Sequence, residues 1–274
     1  MVLRNFLIVF LATSSMAYGQ EFFLGVKGGL EVFKTRYQDR DLRDYYKPAL
    51  KGGIKGGGFI LFPLPDQYSF IVEGSYSIMG RRVKFNNCEW INKSTYYFIE
   101  MPLLLRKTFP LQINTYASGW YVNIGPNIKY WLGGTGSLMS ARGSGEYDEK
   151  YSINFTDTTS NSIFGPIDPK TGYPTLQMWM VNANRFLFGL DFGVGYTAHI
   201  MGNQRFYVEM RYTYGHTYLG GQDSEVEFES LGFTDDLRSA FRVLNFSVGW
   251  SRHFDFRDLK KGESTIDKKK RIRR

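Results

Sequence analysis

The sequence predicts an all-β fold, an eight-stranded antiparallel transmembrane β-barrel with long extracellular loops and a basic periplasmic C-terminal tail. Three features predict it: an N-terminal export signal, long segments with an apolar residue at every second position, and connections that alternate between short turns and long polar loops. The mean hydropathy of −0.31 would by itself suit a soluble secreted protein. The prediction therefore depends on periodicity.

The N-terminus has the features of a secretory signal peptide. Arg4 precedes an apolar run at residues 6–12, and the small-residue site Ala17-Tyr18-Gly19 comes before Gln20. A membrane anchor is the alternative, but a spanning helix needs roughly 20 apolar residues. Because no cysteine is near the site, a lipoprotein is disfavoured. We expect three parts: a signal peptide at 1–19, a barrel at 20–256 and a tail at 257–274.

The clearest strand prediction covers residues 186–200, where apolar and aromatic residues alternate with Gly, Asp, Thr and His. Its length is about twice that of an ordinary strand in a soluble protein. The same alternation recurs at 206–214 and 244–254. Five weaker candidates complete the set of eight, at 22–34, 52–62, 68–84, 95–108 and 119–133. Pro102 and Pro126 cannot donate to a β-ladder, so we expect bulges or kinks there.

The predicted connections differ between the two ends of the barrel, as in outer-membrane barrels. Short turns are expected at 63–67 and 201–204, with a slightly longer one at 109–118. Long extracellular loops are expected at 35–51, 85–94, 134–184 and 222–240. The apolar stretch around 173–181 either caps the barrel rim or belongs to a disordered surface loop.

The face opposite the apolar set carries charged residues, and an eight-stranded barrel has room inside only for side chains. An isolated charge in that space would be costly, so opposite charges should pair. We therefore predict a lumen charge network of Lys27, Glu31, Lys55, Glu73, Glu100, Arg106, Asp191, Glu209 and Arg211.

Aromatic residues make up 17% of the chain, and several stand near predicted strand ends. Tyrosine and tryptophan at such positions typically form girdles at the membrane interfaces. The candidates are Tyr68, Tyr96, Tyr97, Trp120, Tyr130, Trp131, Tyr218 and Trp250. For any one of them a position in the core is the alternative.

Most of the formal net charge of +8 comes from the C-terminus, where residues 257–274 hold nine Lys or Arg against three acids, a net of +6. Almost no apolar residues follow 256, so the segment cannot fold alone. It is either a periplasmic docking tail for a protein partner or anionic headgroups, or a solvated appendage; nucleic acid is not an expected partner. The basic residues assigned to docking are Lys260, Lys261, Lys268, Lys269, Lys270, Arg271, Arg273 and Arg274.

Catalytic signals are sparse. The only histidines are His199, His216 and His253, and the predicted strands place His216 at the opposite membrane face from the other two. A catalytic triad needs contact distance, so none is expected. The lone Cys88 can form no internal disulfide. We predict no catalytic, cofactor or metal site; a barrel enzyme acting on lipid or peptide is the alternative.

Three segments resemble the PorT-type outer-membrane barrels of Bacteroidetes: residues 22–30 (FFLGVKGGL), 97–106 (YFIEMPLLLR) and 122–126 (VNIGP). The family phrases "gvKgGlN" and "lEiPLLlky" correspond to the first two, with Glu31 in place of the usual Asn. The resemblance implies a barrel and permits, through PorT itself, a link to type IX secretion. The basic tail has no counterpart in the pattern.

Two functional hypotheses follow. The chain is either a non-enzymatic component or accessory factor of a type IX secretion or gliding machinery, or a general envelope protein that stabilises the membrane or binds a ligand through its loops. Outer-membrane lipid is an expected partner in both cases.

Overall fold

A computed structural model describes residues 21–85, 90–113, 116–140, 148–156, 164–167, 174–200, 203–221, 225–228 and 233–255. Within them lie one short helix, α1 (Arg40–Tyr45), and a 3₁₀ turn at Pro65–Gln67. The strands are β1 Glu21–Tyr37, β2 Tyr46–Ala49, β3 Lys51–Pro63, β4 Tyr68–Phe85, β5 Trp90–Ile113, β6 Tyr116–Ser140, β7 Asp148–Thr156, β8 Phe164–Ile167, β9 Pro174–Val181, β10 Phe186–Ile200, β11 Gln204–Gly215, β12 Glu225–Phe228, β13 Phe233–Asp236 and β14 Ser239–Asp255.

Eight of these strands close into a ring, which confirms the predicted eight-stranded antiparallel barrel. The order around the ring is β1, β3, β4, β5, β6, β10, β11 and β14, and β14 pairs again with β1. Every neighbouring pair in the ring is antiparallel. Each of the eight predicted segments lies within one of these strands or overlaps it almost completely.

Alternation along each strand separates a lipid-facing surface from a packed interior. On β10 the outward residues Phe186, Phe188 and Phe192 are 61%, 52% and 43% exposed, whereas Leu187 and Asp191 between them are buried. On β14 the outward residues Leu244, Phe246, Val248 and Trp250 form an apolar run between Arg242 and Arg252, which are ten positions apart. Ten residues at about 3.3 Å each, tilted by about 40°, span about 25 Å along the membrane normal, the height of an apolar band in such barrels.

The two ends of the barrel differ. The connections β3–β4, β5–β6 and β10–β11 are short, and Glu21 and Asp255 lie at the same end, which we call the turn end. All the longer connections lie at the opposite, loop end. Strand pairing runs further than predicted in two places: β4 and β5 leave only 86–89 between them, and β5 and β6 leave only 114–115. The expected loop at 85–94 and turn at 109–118 are therefore mostly strand.

The strand register does not shift at either proline, so of the predicted bulges or kinks the bulges are wrong. The pairs Val72–Leu103 and Ser75–Glu100 keep one register on both sides of Pro102, and Pro126 lies in an uninterrupted run of pairs with β10. Beside each proline one neighbouring ladder lacks two pairs, at Glu73 and Gly74 of β4 and at Leu103 and Leu104 of β5, and the pairs on either side hold the register.

The irregularity falls instead at Gly133. The partner register shifts between Tyr97 and Phe98, which pair with Gly133 and Trp131, so Leu132 is the extra residue of a bulge. Gly133 has a φ of +151°, a conformation that a residue with a Cβ rarely adopts. Beyond it β6 leaves β10 and pairs with β7.

The departing part of β6 forms a cap over the barrel mouth. Residues 134–139 pair with β7, β9 joins β7 in parallel, and β8 pairs with β9. Tyr151, Ile153, Met178 and Met180 of this cap are buried against the barrel interior. The described part of the stretch at 173–181 thus caps the rim, one of the two predicted alternatives.

Smaller elements complete the loop end. α1 and β2 connect β1 to β3, with β2 pairing to β4, and β12 and β13 form a separate hairpin between β11 and β14. In the described part of the chain, no helix has the length and apolar character needed to cross a bilayer.

Candidate functional site

The lumen contains a network of paired charged side chains. All nine residues of the predicted charge network point into it, and their side chains are 14% exposed or less where they form ion pairs. Lys129, which is not in the predicted set, is a tenth member. Lys129 is two positions after Asn127 on β6, so the alternation of side chains along the strand predicts that it faces the lumen. Five acids and five bases give this layer a net charge of zero.

Arg211 on β11 is the centre of one half of the network. Its guanidinium donates two hydrogen bonds to Glu73 of β4, at 2.7 and 2.8 Å. It also lies 2.6 Å from Glu209 and 3.4 Å from Asp191. A planar guanidinium with five N–H donors suits this arrangement, because it can serve several carboxylates at once.

Lys27 of β1 is the second cation in the same half. Its ammonium lies 3.0 Å from Glu73 and 2.8 Å from Glu209. Glu209 also accepts hydrogen bonds from Tyr121 and from the Asn123 amide, at 3.1 and 2.8 Å. These donors satisfy a carboxylate that has no access to water.

Arg106 lies at the turn-end side of this half. Its Nε donates to Asn123 at 2.9 Å, and its guanidinium is 3.5 Å from Glu209. The same group stacks over the Tyr121 ring, with its central carbon 3.7 Å from the ring centroid. Arg106 therefore joins the charge layer to the aromatic residues below it.

Glu100 of β5 organises the other half. Lys55 and Lys129 lie 2.5 and 2.8 Å from its two carboxylate oxygens. Glu31 accepts a hydrogen bond from Ser77 at 2.7 Å and lies 4.0 Å from Lys55. The Asn127 amide lies 3.2 Å from Asp191 and so links the two halves.

Apolar layers close the lumen on both sides of the charge layer. The turn-end layer consists of Phe23, Phe59, Leu61, Ile71, Leu104, Tyr121 and Tyr207. The loop-end layer is larger and includes Phe33, Tyr37, Met79, Tyr96, Phe98, Trp131, Phe241 and the buried residues of the cap. The sequence-based prediction included neither layer. The alternation of side chains along β1 nevertheless puts Phe23, Phe33 and Tyr37 on the same face as Lys27 and Glu31.

Two of the predicted girdle residues belong to this interior. Tyr96 and Trp131 are 1% and 0% exposed, with ring centroids 5.0 Å apart, so their assignment to the membrane interface is wrong. Trp120, by contrast, is 58% exposed on the outward face. Tyrosine and tryptophan suit either place, because each has an apolar body and one polar atom.

One cavity among the described lumen residues is about the size of a water molecule. A cavity of about 20 Å³ lies among Lys27, Lys55, Glu73, Ser75 and Arg211, enough for about one water. A close approach on the turn-end side shows how tightly the interior is filled: a Cβ at Gly195 would lie 2.4 Å from the Tyr121 ring. The described lumen residues thus form a packed core.

The histidines are separated as the sequence predicts. His216 follows β11 at the loop end, whereas His199 and His253 lie at the turn end of β10 and β14. His253 is 3.4 Å from Glu21. Among the described residues, no group of three or more His, Cys, Asp or Glu side chains is placed to hold a metal ion.

Three predictions fall outside the described residues. They concern the signal peptide at 1–19, the lone Cys88, and the docking tail with its basic residues from Lys260 to Arg274. These stay predictions.

Comparison with known proteins places the chain among outer-membrane barrels. A family model described as "Outer membrane protein beta-barrel domain" matches residues 14–217. No curated protein matches the sequence.

Three solved structures are similar to this chain at low sequence identity. OprG from Pseudomonas aeruginosa is 11% identical, with 86% of this chain and 96% of that chain covered and a TM-score of 0.49. Neisserial surface protein A is 12% identical, with 84% and 96% covered and a TM-score of 0.40. Ail, the attachment invasion locus protein of Yersinia pestis, is 12% identical, with 86% and 99% covered and a TM-score of 0.32.

Proposed function

Because the chain belongs to the outer-membrane β-barrel domain family, we propose that it is a closed, non-enzymatic scaffold of the outer membrane, which acts through its surfaces and not through its lumen. The observation that carries this proposal is the sealed interior, in which a neutral layer of five acids and five bases lies between two apolar layers. The loop end faces the cell exterior and the turn end the periplasm. The chain is exported with cleavage before Gln20.

Planar-bilayer recording tests the sealed lumen. We expect the purified, refolded barrel to give no large, stable conductance steps, because an ion crossing the lumen would have to displace paired charges and two packed apolar layers. A porin inserted under the same conditions serves as the positive control. Reproducible large steps from the wild-type chain would contradict the proposal.

A narrower proposal assigns the chain to type IX secretion or gliding machinery, as a PorT-type component or accessory factor. Its support is the resemblance of residues 22–30, 97–106 and 122–126 to PorT-type barrels, together with the tail at 257–274, whose net charge of +6 suits an acidic periplasmic partner or anionic headgroups. A general envelope-stabilising or ligand-binding barrel is the alternative, and a barrel enzyme acting on lipid or peptide is a third.

Truncation of the tail separates these proposals. Deletion of residues 258–274 should leave a heat-modifiable barrel in the outer membrane, because the ring of strands ends at Asp255, and should reduce secretion and the recovery of co-purifying partners. A full-length variant with the tail's Lys and Arg replaced by Gln should behave in the same way, since we attribute docking to charge. Normal secretion and unchanged partners in both variants would contradict the secretion proposal.

A further inference from the structure

A groove of about 600 Å³ lies at the loop end of β1, β11 and β14. We call it the rim groove, and its lining includes Arg36, Arg242, Tyr214, His216, Thr217 and Gln38. Arg36, Tyr214 and Arg242 occupy outward positions of their strands, so the groove opens toward the membrane side of the barrel and not into the lumen.

The groove is rich in positive charge. Lys34 is directly opposite Arg242 across the β1–β14 pair, and Arg36 is two positions further along β1. Like charges directly opposite each other destabilise a sheet unless something neutralises them. No carboxylate lines the groove among the described residues, and the nearby Asp39 is paired with Arg238 at 3.3 Å.

Arg242 has unused hydrogen-bonding capacity. Its guanidinium lies over the Tyr214 ring, 5.5 Å from the centroid, and its buried Nε has no hydrogen-bond partner among the described atoms. Buried donors normally have partners. An anion in the groove would supply the negative charge that Lys34, Arg36 and Arg242 lack.

A short strap closes one side of the groove. Residues 216–221 are held between two neighbouring segments: Leu219 N–H donates to the Ser239 carbonyl, and Asn184 N–H donates to the Leu219 carbonyl. The strap also covers the outward-facing Ala240, which is 7% exposed. His216 and Thr217 line the groove together with the two arginines. The Thr217 hydroxyl accepts a hydrogen bond from the Phe188 N–H at 3.1 Å and keeps its own proton to donate, so the groove offers the polar side chains that a phosphorylated sugar can use.

Directly toward the turn end, the same strands become apolar. Val32, Tyr212 and Leu244 occupy the next outward positions after Lys34, Tyr214 and Arg242. An occupant with a phosphorylated head in the groove could therefore lay acyl chains along this surface. Under the proposed orientation, this boundary lies at the headgroup level of the outer leaflet.

From this geometry we propose that the rim groove binds the phosphorylated sugar headgroup of an outer-leaflet glycolipid, with Arg36 and Arg242 on the phosphate. The inference rests on the proposed orientation, in which the loop end faces outward. It is independent of whether the lumen conducts, so the bilayer recording and the binding test below can fail separately.

The test is a titration of the purified, detergent-solubilised full chain with diphosphorylated lipid A, with bound lipid counted by native mass spectrometry. Dephosphorylated lipid A with the same acyl chains is the second ligand, and inorganic phosphate and glucosamine phosphate are soluble competitors. We expect the phosphorylated lipid to bind at least about tenfold more tightly than the dephosphorylated one, because about a fivefold gain accompanies each basic residue near an anionic headgroup.

The variant Arg36→Gln/Arg242→Gln should lower that affinity about tenfold or more. The matched control is Lys107→Gln/Arg252→Gln, which removes two cations from the turn end of the outward face and should leave the affinity unchanged; heat modifiability verifies that both variants fold. Equal binding of the two lipids, or wild-type affinity in the Arg36/Arg242 variant, would overturn the proposal. So would soluble phosphates that compete as well as the lipid, since they would make the ligand a free anion.

Discussion

Replacing Arg211 with methionine is expected to destabilise the barrel by about 3–5 kcal/mol, because it leaves buried carboxylates without their cation. Glu73 loses two hydrogen bonds, and Glu209 and Asp191 lose ion pairs of 2.6 and 3.4 Å. Glu73 then keeps its ion pair with Lys27, and Glu209 keeps those with Lys27 and Arg106. The free energy of unfolding, measured by urea titration of the barrel in lipid vesicles, checks the expectation.

Two further variants separate charge from geometry. Arg211→Lys keeps the charge but loses the bidentate contact with Glu73. We therefore expect its free energy of unfolding to lie between those of the wild type and Arg211→Met. Arg252→Met removes an outward cation at the turn end and should cost less than about 1 kcal/mol.

A double substitution tests whether the network acts as a unit. Glu73→Gln in the Arg211→Met background removes one uncompensated charge and should recover part of the lost stability, so the two effects should not add. Strict additivity would contradict the network. An Arg211→Met barrel as stable as the wild type would show that lumen charge pairing contributes little.

The lumen was predictable from the sequence because side-chain direction in a strand has a period of two. If Phe192 and Val194 of β10 face the lipid, Asp191 has to face the lumen, because neighbouring residues of a strand point to opposite sides. The same alternation on β11 places Glu209 and Arg211 in the lumen. The eight strands followed from the same pattern. The ends of the strands were predicted less accurately. At 85–94 and 109–118 the strand pairing continues beyond the apolar part of the strands, where the sequence has no alternation of apolar and polar residues that would predict it.

The cap and the aromatic layers were not predictable in the same way. β7 pairs in parallel with β9 across a chain separation that no local pattern encodes. β6 leaves β10 after a bulge at Gly133, whose φ is +151°. Tyr96 and Trp131 were assigned to the interface by residue type, which parity with Phe98 and Lys129 could have corrected. The rim groove combines three strands and a strap, and only the folded ring brings Arg36 beside Arg242.

Replacing Trp131 with alanine is the second change with a large expected effect. Trp131 is fully buried where the barrel meets the cap, with ring centroids 5.0 Å from Tyr96 and 4.8 Å from Phe155. Its indole N–H donates to the Gly133 carbonyl at 3.0 Å, across the bulge that redirects β6. Removal of such a side chain from a packed core costs about 3–5 kcal/mol.

The position of Trp131 also predicts which part of the structure is destabilised in Trp131→Ala. Because β7 and β9 depend on the loop-end layer for burial, hydrogen exchange should accelerate in 148–156 and 174–181, whereas β11 and β14, held by their own ladders, should stay protected. Trp131→Phe keeps an aromatic ring and loses the indole hydrogen bond, so it should cost about 1 kcal/mol.

Trp120→Ala provides the matched control, since it removes the same side-chain type from the outward face of the same strand. Trp120 is 58% exposed and contacts Tyr196 with ring centroids 5.2 Å apart. Its loss should leave exchange in the cap at the wild-type rate. If instead Trp131→Ala accelerated exchange uniformly around the barrel, or left the cap protected, the cap would not depend on the loop-end layer, and its attachment would have to come from the β6–β7 ladder alone.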